Sequence, residues 1–153
     1  MKKVLFLLAF AIFGGQAIAQ NNEAEMMMSM FKVEKKALLM DFLKLNEEEA
    51  ALFWPVYEEF NMDRGVISKK RIELITKYAD EYNTITAEQI DELVGESFAN
   101  RASLEKLHKS YYNKFKKAVG PKRAAQFVQY ERFVDNAINT ELNNNLPLIG
   151  ELD

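Results

Sequence analysis

Mostly apolar side chains return every three or four residues along two long stretches of this chain, a spacing that suits little but paired helices. Phe53, Tyr57, Phe60, Arg64, Ile67, Arg71, Leu74 and Tyr78 alternate steps of four and three. Ile90, Val94, Ser97, Arg101, Leu104, His108, Tyr111 and Phe115 do the same. A stripe of that period is the face one helix packs against another. No stretch alternates apolar and polar residues as a half-buried strand would. The expected fold class is therefore all-α.

Caps divide the chain into four expected helices. The first runs from Met26 to Leu43, with Met27, Met30, Phe31, Ala37, Leu38, Met40 and Leu43 among its apolar positions. Asn46 caps the second, and Glu47, Glu48 and Glu49 fill its first turn, where carboxylates favour the positive end of the helix dipole. Glu49 completes a capping box with Asn46. The heptad phase holds through Gly65, so one helix continues to about Glu81. Pro55 removes a donor and crowds the carbonyl of Ala51, so a kink is expected near Trp54. Such a helix would be ~50 Å long at 1.5 Å per residue, longer than a compact monomer of this size requires. Thr86 and Gln89 open the third helix as a second capping box. Gly120 ends it, and Pro121 suits the first turn of a fourth. That helix carries Ala124, Phe127, Val128, Phe133, Val134, Ala137, Ile138 and Leu142, and Asn143-Asn144-Asn145-Leu146-Pro147 stops it.

Two helix starts repeat one pattern. Leu45-Asn46-Glu47-Glu48-Glu49-Ala50-Ala51-Leu52-Phe53 and Val119-Gly120-Pro121-Lys122-Arg123-Ala124-Ala125-Gln126-Phe127 share an apolar opening, a residue able to cap, Ala-Ala and a closing Phe. These starts are expected to be structural, with Phe53 and Phe127 pinning each first turn to the core.

The N-terminus reads as a secretory signal. Lys2 and Lys3 precede the apolar run Val4 to Phe13, and Ala17-Ile18-Ala19 offers a small-x-small cleavage site. The run is far shorter than the ~20 residues that span a bilayer. Cleavage is expected after Ala19, giving a signal peptide over 1–19 and one helical domain over 20–153, with flexible ends near 20–25 and 146–153. The chain has no cysteine, so no disulfide supports it. Its net charge is −3 and falls further when Lys2 and Lys3 are removed, which argues against a nucleic-acid partner.

Candidate chemistry is sparse. Lone His108 has no cysteine partner and no triad, and phosphate-loop and dinucleotide fingerprints are missing. Enzyme activity and cofactors are not expected. Met26, Met27, Met28 and Met30, with Met40 and Met62, supply thioethers of the kind that suit Cu(I). Four methionines in five residues cannot share one helical face, however, and one histidine cannot build a usual zinc site. No metal site is assigned.

The binding candidates are cations among apolar residues. Arg64, Arg71 and Arg101 interrupt the seams; their stems can lie along the seam while the guanidinium reaches water or a glutamate. Lys106, Lys109, Lys114, Lys116, Lys117, Lys122 and Arg123 follow one another with no acidic residue between, interleaved with Tyr111, Tyr112 and Phe115.

In these features the chain resembles the Spy/CpxP-like periplasmic proteins, helical stress proteins marked by LTxxQ motifs, in a Bacteroidota-type branch. Leu45-Asn46-Glu47-Glu48-Glu49 is similar to the first motif, and Val119-Gly120-Pro121-Lys122-Arg123 more loosely to the second. Ile85-Thr86-Ala87-Glu88-Gln89 fits the literal pattern but sits between the usual places. The resemblance implies four helices, two of them long, in a thin curved antiparallel arrangement forming a cradle-shaped homodimer. It implies an ATP-independent periplasmic chaperone for unfolded or misfolded proteins. An envelope-stress or ECF-sigma sensor accessory, binding a membrane stress sensor, is the alternative; a heavy-metal sensor is a third reading.

Overall fold

The structure is a computed structural model that describes residues 20–151, with side-chain surroundings from residue 32 onward. The expected signal peptide and its cleavage site lie outside the described residues, as do the side chains of Met26 to Met30. The described chain is all-helical. It forms three helices rather than the expected four: α1 Gln20–Leu43, α2 Glu47–Glu81 and α3 Ala87–Asn145.

The expected boundary at Gly120 is a kink rather than a loop. Gly120 has a non-helical φ of 81° and ψ of 168°, and the segments expected as a third and a fourth helix meet there within α3. Glycine carries this conformation because a Cβ would collide with its own backbone at positive φ. Pro121 follows where the lost N–H costs least. Residues 20–25, expected as a flexible lead, fall within α1 as described. α1 closes on Lys44, whose φ of 46° is the left-handed conformation common after a helix C-terminus.

α2 runs for 35 residues and continues through Pro55 and Gly65. Pro55 and Ala51 are both exposed, so the carbonyl left without a donor can reach water. Both expected capping boxes form. Asn46 Oδ1 accepts from the Glu49 N–H at 2.8 Å, and Glu49 Oε2 accepts from the Asn46 N–H at 3.1 Å. Thr86 Oγ1 accepts from the Gln89 N–H at 3.3 Å, and Gln89 Oε1 accepts from the Thr86 N–H at 2.8 Å.

The chain divides into two compact units: Leu45–Val128, and the residues on either side of it. In Leu45–Val128, α2 and α3 form an antiparallel hairpin. As residue numbers rise along α2, the partners on α3 fall. Phe53 stacks on Phe115 at 4.6 Å between ring centroids, Asp63 accepts from the Tyr111 hydroxyl at 2.7 Å, and the Ile67 carbonyl accepts from Asn100 at 2.9 Å. Lys70 then pairs with Glu96 at 2.9 Å, Lys77 with Glu92 at 3.1 Å, and Gln89 donates to Glu81 at 3.1 Å. Exposed pairs of this kind contribute ~0–1 kcal/mol each, so they fix register more than stability.

The α2 stripe packs as its spacing predicts. Phe53, Tyr57, Phe60 and Leu74 are buried, and Arg64, Ile67, Arg71 and Tyr78 are half-buried. The α3 stripe holds only toward its C-terminal end. His108, Tyr111 and Phe115 are buried, but Val94, Ser97 and Arg101 are exposed, and Leu93 is buried in place of Val94.

The other unit joins α1 to the last turns of α3 through buried charge. Lys35 Nζ meets Glu131 Oε2 at 2.7 Å, with side-chain exposures of only 4% and 0%. The Tyr130 hydroxyl donates to the Lys35 carbonyl at 2.8 Å, and the Tyr130 ring stacks on Phe42. Leu39 and Leu43 are buried in α1, whereas Ala37, Leu38 and Met40, read as its apolar face, are exposed. Phe133, expected in the core of the final helix, is also exposed.

Candidate functional site

The structure brings the two repeated helix starts together. Their fifth residues, Glu49 and Arg123, form a two-point ion pair: Arg123 Nε donates to Glu49 Oε1 at 2.9 Å and Nη2 donates to Oε2 at 3.0 Å. Their ninth residues, Phe53 and Phe127, meet edge to face at 6.0 Å. One repeat thus packs on the other through equivalent positions. Glu49 serves twice, as the N3 partner of Asn46 and as the acceptor for Arg123. The Arg123 hydrogen bonds, then the Asn46 N–H, hold its carboxyl below the usual glutamate range. A planar guanidinium suits this two-point geometry, which a lysine could not reproduce. Leu45 and Val119 open the repeats at half-buried positions.

Around this pair lies one aromatic cluster. Phe127 touches Phe53, Tyr57, Phe60 and Phe115, the last at 4.2 Å between centroids. Phe60 contacts His108 and Tyr111, and Trp54 packs edge-on against Phe53 and Tyr57. His108 is 2% exposed and stacks on Phe60 at 5.9 Å, the environment of a core residue.

The expected client-facing residues separate into three groups. Tyr111 and Phe115 are core residues, 2% and 0% exposed, so they offer nothing to a partner of the folded chain. Their seam positions face α2, and burial then pushes the Tyr111 phenol up. Lys114 is engaged inside the hairpin: it pairs with Glu59 at 2.8 Å and lies 4.3 Å over the Tyr111 ring. The Glu59 hydrogen bond raises its pKa. Arg64, Arg71 and Tyr112 are half-buried, and both arginines take part in interactions within the chain. Arg101, Lys116 and Lys117 are exposed, as is Lys114 despite its pairing with Glu59.

Several exposed apolar residues were not among the sequence candidates. In Leu45–Val128 these are Leu52, Met62, Val66, Ile72, Val94 and Phe98, with Val66 at 74% and Phe98 at 70% exposure. Met62 and Val66 are one turn apart on α2, as are Val94 and Phe98 on α3, so each pair shares a face. Met62, Val66 and Phe98 were apolar residues off the seam, which single-stripe reading passes over; Val94 was read on the seam and is turned outward. In the other unit, Val33, Leu38, Met40, Phe42 and Phe133 are exposed. Among the described residues there is no group of three or more His, Cys, Asp or Glu able to hold a metal ion. No helix among them is long and apolar enough to cross a membrane.

Comparison with protein families, characterised proteins and solved structures returns no match.

Proposed function

We propose that this protein is an exported, ATP-independent chaperone that holds non-native proteins and limits their aggregation under envelope stress. The observation that carries this reading is the exposed apolar set outside a complete core. Large apolar side chains clustered on a folded surface mark interaction sites. Flexible methionine and aliphatic side chains adapt to many sequences. The family-like layout read from the sequence supports the same function.

In this account the aromatic cluster gives rigidity and the outer faces give contact. Met62 and Val66 on α2 are the first candidates for the client surface, with Arg101 supplying charge near Val94 and Phe98. The protein works as a homodimer through α2 and α3, which covers part of the apolar surface that one chain leaves open. Binding of this kind needs no nucleotide, because capture is driven by apolar burial and release follows client folding.

The test is aggregation of two unrelated reduced or heat-treated clients, without nucleotide, at equimolar dimer. Suppression of both is expected, with a marked loss in Met62→Ser/Val66→Ser that keeps its fold by circular dichroism. A folded, dimeric protein that suppresses neither client would refute the proposal and favour a dedicated partner in envelope signalling. Light scattering should report about twice the protomer mass.

A further inference from the structure

We propose that the outward face of α3 from Phe98 to Lys117 docks on an anionic phospholipid surface. Lys106, Lys109, Lys116 and Lys117 are all exposed. At 3.6 residues per turn they fall on the side of α3 opposite the packed side chains of Leu104, His108, Tyr111 and Phe115. None of the four has an ion-pair partner among the described residues, unlike Lys114 and Arg123 of the same basic segment. Asn113 and Ser110 lie between them. The result is a rigid basic stripe about 16 Å long at 1.5 Å rise per residue.

The same side of the helix carries Phe98, the only exposed aromatic residue among those described in Leu45–Val128. An outward aromatic beside a lysine stripe is the combination that seats helices at a bilayer interface. The chemistry fits lipid better than a structured anion. Lysines are mobile point charges without the fixed fork that arginine uses to read one phosphate. A single helix face has no groove to seat a strand, and one aromatic gives no stacking series for bases. Fluid headgroups can gather under such a stripe without a preformed pocket. Attachment would be peripheral, since no described helix can cross a membrane.

Charge placement also orients the hairpin. Glu88, Asp91, Glu92 and Glu96 occupy the other end of α3. Glu96 lies about 15 Å from Lys106 and about 30 Å from Lys117 along the helix, roughly two to four times the ~8 Å Debye length at physiological salt. The acidic turn therefore does not cancel the stripe, although the whole chain is negative. Glu105 is the single acidic residue between Arg101 and Arg123, and it sits at the edge of the stripe.

The experiment is co-sedimentation of the purified protein with phosphatidylglycerol–phosphatidylethanolamine vesicles and with phosphatidylcholine vesicles. Binding to the anionic vesicles alone is expected. It should weaken steeply as salt rises from about 0.1 M to 1 M, where the Debye length falls from ~10 to ~3 Å. Each lysine near an anionic surface contributes about fivefold to partitioning. Lys106→Gln/Lys109→Gln/Lys116→Gln/Lys117→Gln should therefore lower it several hundredfold, and Phe98→Ala several-fold, whereas Lys44→Gln/Lys69→Gln should match the unaltered chain. The salt series on the unaltered chain does not depend on any variant's folding. Equal partitioning into both vesicle types, or undiminished binding by the quadruple variant, overturns the proposal. So does a quadruple variant that still binds vesicles but no longer retains an acidic unfolded polypeptide, which would assign the stripe to polypeptide instead.

Discussion

Removing the Phe127 ring should be among the costliest single truncations in the hairpin. Phe127 is 0% exposed and contacts four aromatic rings contributed by α2 and α3. Phe127→Ala leaves a cavity bounded by Phe53, Tyr57, Phe60 and Phe115. These neighbours are large planar rings fixed by one another, so they cannot collapse into it. Truncations of this kind cost ~3–5 kcal/mol, a large share of the 5–15 kcal/mol typical of a whole domain. For a chain of this length the loss corresponds to roughly 10–25 °C in Tm. Thermal unfolding followed by far-UV circular dichroism measures it directly. Phe98→Ala is the control, deleting the same ring at a site 70% exposed. Its effect should stay within about 0.5 kcal/mol. A Phe127→Ala protein that melts within a few degrees of the parent would refute the cluster as the keystone of the fold.

Glycine changes should diverge in sign. At Gly120 an added Cβ meets no atom within 4 Å, yet φ is +81°, so Gly120→Ala should destabilise by ~1–3 kcal/mol through backbone strain alone; Gly65→Ala, helical and equally open, should stabilise by ~0.4–1 kcal/mol in chemical denaturation. Glu131→Gln should cost ~3–5 kcal/mol because Lys35 stays buried without its carboxylate, whereas Lys35→Met/Glu131→Leu should be near neutral or stabilising. The depressed Glu49 pKa contributes stability that is complete above the unfolded glutamate pKa of about 4.3. It is lost as pH falls through the lower folded value, so Arg123→Gln should flatten that acid limb of the stability–pH curve. Burial, then the Glu131 charge, pushes the Tyr130 phenol up to about 12. Its stabilising effect is therefore complete below pH 10 and lost through about pH 12, and ultraviolet titration of the parent against Tyr130→Phe should show one phenol missing from that high range.

The sequence carried the fold class and the helix starts because these depend on local chemistry. Asn46–Glu49 and Thr86–Gln89 form capping boxes that need only three residues of separation, and both formed. The α2 stripe was legible for the same reason: aromatics dominate it from Phe53 to Phe60. The α3 stripe slipped because a heptad assumes 3.5 residues per turn. A straight helix drifts ~20° per heptad against that repeat. Over the three heptads from Phe115 back to Val94 the drift is ~60°, enough to turn Val94 outward and bring Leu93 in.

Buried charge defeated the reading of α1 and the final helical stretch. Their inward positions run through Lys35 beside Leu39 and Leu43, and through Glu131 and Asp135 beside Val134. An apolar pattern skips such residues and shifts the stripe to Leu38, Met40 and Phe133, which are exposed. A pair 96 residues apart leaves no local trace. The repeat of helix starts was visible as a pattern, but not that its copies face each other. That follows only once the hairpin returns Arg123 to Glu49. The seam cations misled in the opposite direction: Lys114 resembles its neighbours in sequence, and only the partner helix claims it for Glu59.

The central claim is that the folded chain holds clients on its outer faces while its aromatic core stays closed. Site-specific photo-crosslinking tests this most directly, with a benzophenone side chain placed singly at Met62, Val66 or Ile72 and a reduced, unfolded client added without nucleotide. The account predicts client adducts from these exposed positions, competed away by a second, unrelated client. Absence of adducts at all three positions, in proteins that remain folded, would contradict it.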